Sequence, residues 1–111
     1  MAASRPPRRG EIWLAALDPT LGSEIQKTRP CVVVSPPEMN EHLRTMVVAP
    51  MTTGSRPAPF RIPITFQRKN GLILLDQLRT LDRQRLVKRL GMANAATLAR
   101  VLDGLQAMFA P

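Results

Sequence analysis

The sequence holds one histidine (His42), one cysteine (Cys31), one tryptophan (Trp13), three phenylalanines and no tyrosine in 111 residues. Each scarcity excludes something. A single cysteine cannot form an intrachain disulfide, and it offers no thiolate set for zinc. A single histidine cannot supply the two-imidazole acid–base pair that many metal-free nucleases use. So few aromatics do not build a platform on which single-stranded bases stack. No apolar run approaches eighteen residues, so no membrane-spanning helix is expected. The N-terminal stretch MAASRPPRRG is basic, but no apolar core follows it, so it does not read as a signal peptide. The expectation is a small cytoplasmic domain that needs neither metal nor cofactor.

Positive charge, by contrast, is in excess. Sixteen Lys and Arg stand against eight Asp and Glu, a net charge of +8, which attracts polyanions, nucleic acid first among them. The excess is uneven: residues 1–55 carry a net +1 and residues 56–111 a net +7. Its densest stretch holds Arg79, Arg83, Arg85, Lys88 and Arg89, which is either a phosphate-contacting surface or a solvated basic face.

Length and pattern predict one domain over residues 10–111, preceded by a flexible basic extension over residues 1–9. Glu11–Leu17, Cys31–Ser35, Thr45–Pro50 and Phe60–Phe66 read as strands, the second of them buried because CVVVS is continuously apolar and β-branched. Pro63 donates no ladder hydrogen bond and so predicts an edge strand. Asn70-Gly71 predicts a hairpin turn, with strands over Gly71–Leu75 and Leu78–Leu81. The segment RQRLVKRLG reads as one helical turn. Leu98, Val101, Leu102, Leu105, Met108 and Phe109 make one apolar stripe at helical spacing, with Asn94 as its N-cap. The sum is a mainly β, α+β protein: a small antiparallel barrel with a C-terminal helix packed on it.

Five short motifs occur in order. They are Gly10-Glu11-Ile12-Trp13, Asp18-Pro19, Gly22-Ser23-Glu24, Arg29-Pro30 ahead of a valine-rich strand, and Leu75-Asp76-Gln77-Leu78-Arg79-Thr80-Leu81-Asp82. With Pro50-Met51-Thr52-Thr53 between the last two, the chain resembles the MazF/PemK family of toxin endoribonucleases from about residue 9 to 110. The resemblance implies an SH3-like barrel. It also implies cleavage of single-stranded RNA without metal, by attack of the 2′-hydroxyl, leaving a 2′,3′-cyclic phosphate and a 5′-hydroxyl. The implied partners are RNA, a second copy of the chain in a homodimer, and a cognate antitoxin whose acidic, disordered tail mimics the phosphate chain.

By the same resemblance Arg29, Thr52 and Glu24 are the catalytic residues. An arginine is always charged and forks across two phosphate oxygens, which suits a phosphorane transition state. A threonine hydroxyl can bond the scissile phosphate, with Thr53 beside it. Glu24 would orient Arg29 or take a proton. Lys27, Thr28, Arg56, Arg61, Asp76, Gln77 and Arg79 complete the candidate RNA-binding set. One branch of the family pairs the acid of this motif with an arginine two residues earlier. Here that position is Leu74, which favours the arginine–threonine arrangement and leaves Asp76-Gln77 a structural or substrate-orienting role. Trp13 reads as core or dimer interface, His42 as surface and Cys31 as inert core. Two other readings stay open: a non-enzymatic toxin of the CcdB kind that binds DNA gyrase, and a basic nucleic-acid-binding barrel without cleavage.

Overall fold

Two faces of one strand organise the molecule. In the computed structural model, which describes residues 5–111, strand β2 (Thr28–Val33) and the residue after it alternate between two cores. Val32 and Val34 face one core with Ile12, Ala49, Met51, Ile73 and Val101. Cys31 and Val33 face the other with Ala15, Leu17, Met46, Val48 and Leu81. A strand buried on both sides has no polar positions, which is why this stretch is an unbroken apolar run.

Six further strands surround it: β1 (Glu11–Ala16), β3 (Thr45–Thr52), β4 (Arg61–Phe66), β5 (Lys69–Leu74), β6 (Arg79–Asp82) and β7 (Leu86–Met92). All pairings are antiparallel, in the order β4-β5-β3-β2-β1-β7, with β6 beside β3. The long strand β3 turns the corner. Its first half pairs β6, and its last residues, Met51 and Thr52, pair Ile73 and Leu72 of β5. The sheet therefore curls into a half-barrel. Helix α1 (Pro37–His42) sits between β2 and β3. Helix α2 (Ala95–Phe109) covers the first core with Val101, Leu105 and Met108. The Asn94 side chain accepts a hydrogen bond from Thr97 N at 2.8 Å and caps α2 as expected. Phe109 ends the apolar stripe yet is 72% exposed.

Pro63 does lie on an edge strand, β4, but three local expectations change. The β4–β5 turn is Gln67-Arg68, both at positive φ (52° and 64°), and Phe66 pairs Lys69 across it. Left-handed residues at both central positions give the hairpin a twist that matches its strands. Gly71 lies inside β5 instead, where a Cβ would stand 2.8 Å from the carbonyl oxygen of Thr52. The glycine thus serves a close approach of two strands, not a turn. Within RQRLVKRLG, only Arg83–Arg85 forms a 3₁₀ turn and the rest is strand β7. Its Lys88 and Arg89 mask the β pattern, while pairing to β1 supplies what local propensity lacks.

Residues 5–9 of the extension expected over 1–9 make contacts with the barrel; residues 1–4 lie outside the described residues. Glu11, fully buried, is the anchor. Its carboxylate accepts from Arg5 Nη2, from Arg8 N at 2.8 Å, from Trp13 Nε1 at 3.1 Å and from Arg89 Nε at 2.9 Å. Buried Asn40 adds a second tie by donating to the carbonyl of Pro7 at 3.0 Å. Burial alone would push the Glu11 carboxyl up, but these four donors outweigh it and hold the group at about 2.

Candidate active site

A cleft of about 210 Å³ opens where three chain segments meet. The start of β2 brings Arg29 and Pro30, the end of β3 brings Met51, Thr52 and Thr53, and the β4–β5 hairpin brings Ile64, Phe66, Gln67, Lys69 and Gly71. Gly71 lets the Thr52 backbone cross close above β5, so the hydroxyl-bearing end of β3 reaches the cleft wall.

Two of the polar groups have a defined holder. Arg29 Nε donates to the carbonyl of Gln26 at 3.2 Å. That bond fixes the plane of the guanidinium and leaves its two terminal nitrogens to fork onto a ligand. Thr52 Oγ1 accepts from Gly54 N at 3.2 Å, so its own proton is free to be donated. Lys69 puts a second cation on the same cleft. Pro30, Met51, Ile64 and Phe66 give the lining an apolar part. Two cations and a hydroxyl next to an apolar part can bind a phosphate diester and seat a base beside it.

Arg29, Thr52 and Thr53 are thus brought together. Glu24 is not among them. It lines a separate cleft of about 430 Å³ with Asp76, Gln77 and Arg79. Its Oε1 accepts from Leu21 N at 3.0 Å, within its own loop. The hydrogen bond that holds the Arg29 guanidinium goes to the Gln26 carbonyl, and Glu24 bonds within its own loop.

The remaining candidates divide into exposed and engaged. Lys27 and Thr28 are exposed at the end of the β1–β2 loop. The backbone of Lys27 is pinned there, its N–H to Asp18 Oδ1 at 3.0 Å and its carbonyl to Leu17 N at 3.0 Å. Arg56 is exposed on the β3–β4 loop. Arg61 instead grips Asp76 with two parallel bonds, Nε to Oδ1 at 3.1 Å and Nη2 to Oδ2 at 2.9 Å. That pairing raises the arginine's pKa above its ordinary value. Gln77 accepts from Ile25 N at 2.7 Å. Arg79 donates to the carbonyl of Leu17 at 3.2 Å, and Arg85 donates to those of Ala16 and Asp18. With Arg89 on Glu11, three arginines of the basic stretch hold the two ends of β1, and only part of that stretch is free surface.

Phe66, Gln67 and Lys69 were absent from the sequence-based candidates. Placing the hairpin turn at Asn70-Gly71 puts these residues on the wrong part of the hairpin. Cys31 and His42 fall as expected. Burial pushes the Cys31 thiol up to about 12, and exposed His42 hydrogen-bonds through Nδ1 with the Glu38 carbonyl. Among the described residues no group of three or more His, Cys, Asp or Glu side chains could hold a metal ion.

The family described as PemK-like, MazF-like toxin of type II toxin–antitoxin system matches residues 8–109. Endoribonuclease PemK of Escherichia coli is 44% identical over 79 residues, which are 67% of this chain and 59% of that protein's length. Endoribonuclease MazF of Staphylococcus epidermidis is 33% identical over 104 residues, 88% of this chain and 87% of that one. The crystal structure of MazF from Deinococcus radiodurans superimposes with a TM-score of 0.83 at 29% identity, covering 95% of this chain and 97% of that one. A MazE–MazF structure from the same organism superimposes at 0.76 with 26% identity, over 95% and 96% of the two chains.

Proposed function

The chain belongs to the PemK-like, MazF-like toxins of type II toxin–antitoxin systems, and from that premise we propose that it is an endoribonuclease cutting single-stranded RNA. The observation that carries the reading is the convergence of Arg29, Thr52 and Lys69 on one cleft from three separate segments. The curated relatives, named endoribonucleases, support it.

The cut follows from the chemistry of RNA. The 2′-hydroxyl gives up its proton to water as it attacks the adjacent phosphorus, the bond from phosphorus to the 5′-oxygen breaks, and that oxygen takes a proton from water. The products end in a 2′,3′-cyclic phosphate and a 5′-hydroxyl. Charge grows on the non-bridging oxygens as the phosphorane forms. The Arg29 guanidinium, oriented by Gln26, forks onto those oxygens, and the Thr52 hydroxyl donates to one of them. Because these donors stand in place before the reaction, little reorganisation accompanies the charge that develops. Lys69 and the exposed Lys27 and Arg56 draw in the flanking phosphates, while Thr28 and Thr53 border the path. Beyond these side chains the proposed step needs only water to carry the protons.

The partners follow the same logic. A net +8 surface suits an antitoxin with an acidic, disordered segment, and the MazE–MazF structure of the relative supports such a partner. The exposed apolar side chains Val87, Met92 and Phe109 offer surface for a second copy of the chain. An RNA substrate suits a cytoplasmic location. No helix among the described residues is long and apolar enough to cross a membrane.

The test is to incubate the purified protein with a long RNA in EDTA and map the new ends. The wild type yields 5′-hydroxyl ends at a short recurring sequence. Arg29→Ala lowers the rate about 10²–10³-fold, the loss typical of one preorganised donor to a developing oxyanion. Undiminished cleavage by Arg29→Ala removes the arginine from the mechanism. A wild type that traps DNA gyrase and leaves RNA intact makes this a gyrase-binding toxin instead.

A further inference from the structure

The 3₁₀ turn Leu75–Gln77 is tied to two loops beside the cleft, directly to β1–β2 and through Arg61 to β3–β4. The turn is itself a fixed post. Leu75 is 1% exposed, and its N–H donates to the carbonyl of Phe60 at 3.0 Å. The next two side chains reach outward in different directions. Gln77 Oε1 accepts from Ile25 N at 2.7 Å, in the β1–β2 loop. A backbone N–H can only donate, so the carbonyl end of the glutamine amide faces the loop. The residue after Ile25 is Gln26, whose carbonyl orients the Arg29 guanidinium. Asp76 serves the β3–β4 loop: it grips Arg61, whose Nη1 donates to the carbonyl of Arg56 at 3.2 Å. Neither Asp76 nor Gln77 lines the cleft that holds Arg29 and Thr52.

We infer that Asp76-Gln77 is a positioning pair for RNA cleavage, an inference that rests on the ribonuclease reading. The two residues set the loops on either side of the cleft and act on the substrate through Arg29, without touching RNA. Gln77 has the more direct path. One hydrogen bond and two peptide units separate its amide from the carbonyl that fixes the guanidinium. Losing that bond lets the loop drift, and misplacement of about 1 Å at a reacting group costs up to about 10²-fold in rate.

The experiment compares wild type, Gln77→Met and Gln77→Glu. Methionine keeps the length and loses the carbonyl acceptor, whereas glutamate keeps an acceptor oxygen. Two readouts are taken: kcat and KM on a short RNA, and hydrogen exchange of the Ile25 amide. Gln77→Met is expected to lower kcat about tenfold with KM changed by less than about twofold, the pattern of an effect on the transition state alone. Its Ile25 amide exchanges about fivefold faster or more, the change that one lost hydrogen bond is worth. Gln77→Glu restores both slow exchange and most of kcat. A wild-type kcat in Gln77→Met overturns the inference. So does slow Ile25 exchange combined with a raised KM, which makes Gln77 a direct RNA contact. If the wild type cuts no RNA, the ribonuclease reading fails, while Ile25 exchange still reports whether Gln77 holds the loop.

Discussion

Substituting Glu11 by Gln tests the anchor that ties the lead-in, β1 and β7 together. The wild-type carboxyl lies at about 2, against an ordinary 4.5. Each tenfold in proton affinity is worth about 1.4 kcal/mol, so the folded state favours the charged form by about 3 kcal/mol. That figure is a ceiling, because the Arg5 and Arg89 side chains are 44% and 43% exposed and water screens them. The expected loss in Glu11→Gln at pH 7 is about 2 kcal/mol. The glutamine nitrogen now faces donors, and the charge that balanced two arginines is gone. The folded pKa is depressed, so the contribution is complete above pH 4.5 and disappears as pH falls toward 2. The assay is urea unfolding of both proteins at one fixed concentration, from pH 3 to 7. With a urea slope of roughly 1–2 kcal/mol per molar, the midpoint drops by about 1–2 M at pH 7. The gap narrows below pH 4. A midpoint unchanged at pH 7, or a gap that widens in acid, refutes the reasoning.

Two further predictions concern the core and the cleft wall. Gly71→Ala places a Cβ 2.8 Å from the Thr52 carbonyl oxygen, which is backbone and cannot swing aside. It is expected to cost about 1–3 kcal/mol and to slow RNA cleavage by shifting Thr52, measured by thermal unfolding and by initial rates. Wild-type values for both would mean that β3 moves freely over β5. The Cys31 thiol, buried and pushed up to about 12, is expected to resist iodoacetamide at pH 8 until denaturant is added. Labelling of the native protein at the rate of a free thiol would show that the second core opens.

Much of the fold is legible because strands and helices announce themselves locally. CVVVS is apolar at every position because both of its faces are buried. Asn94 and the Leu98–Met108 stripe mark α2 by cap chemistry and a 3.6-residue period. Pro63 marks an edge because proline has no N–H to donate. Strand β7 is hidden because Val87, Lys88 and Arg89 are all exposed, so no alternation survives; pairing with β1 makes it a strand. The β4–β5 turn is hidden for a related reason. Asn70-Gly71 has the chemistry of a turn, but the nearby Thr52 carbonyl needs that glycine, and the hairpin turns at Gln67-Arg68 instead.

The same divide runs through the site. Strand patterning, the α2 stripe and its cap pointed to a small barrel with a C-terminal helix. The ordered motifs, through their resemblance to the MazF/PemK family, singled out Arg29 and Thr52. Which charges are free depends on the folded arrangement. Arg61, Arg79, Arg85 and Arg89 look alike in a row of letters, yet each is held by an acid or by carbonyls. That arrangement also set Glu24 apart from Arg29, added Phe66, Gln67 and Lys69 to the cleft, and joined Gln77 to Ile25. Gln77 and Ile25 are 52 residues apart, and Arg89 and Glu11 are 78 apart. No local pattern encodes such a contact, because it forms only where the sheet curls and brings distant backbone within hydrogen-bond reach.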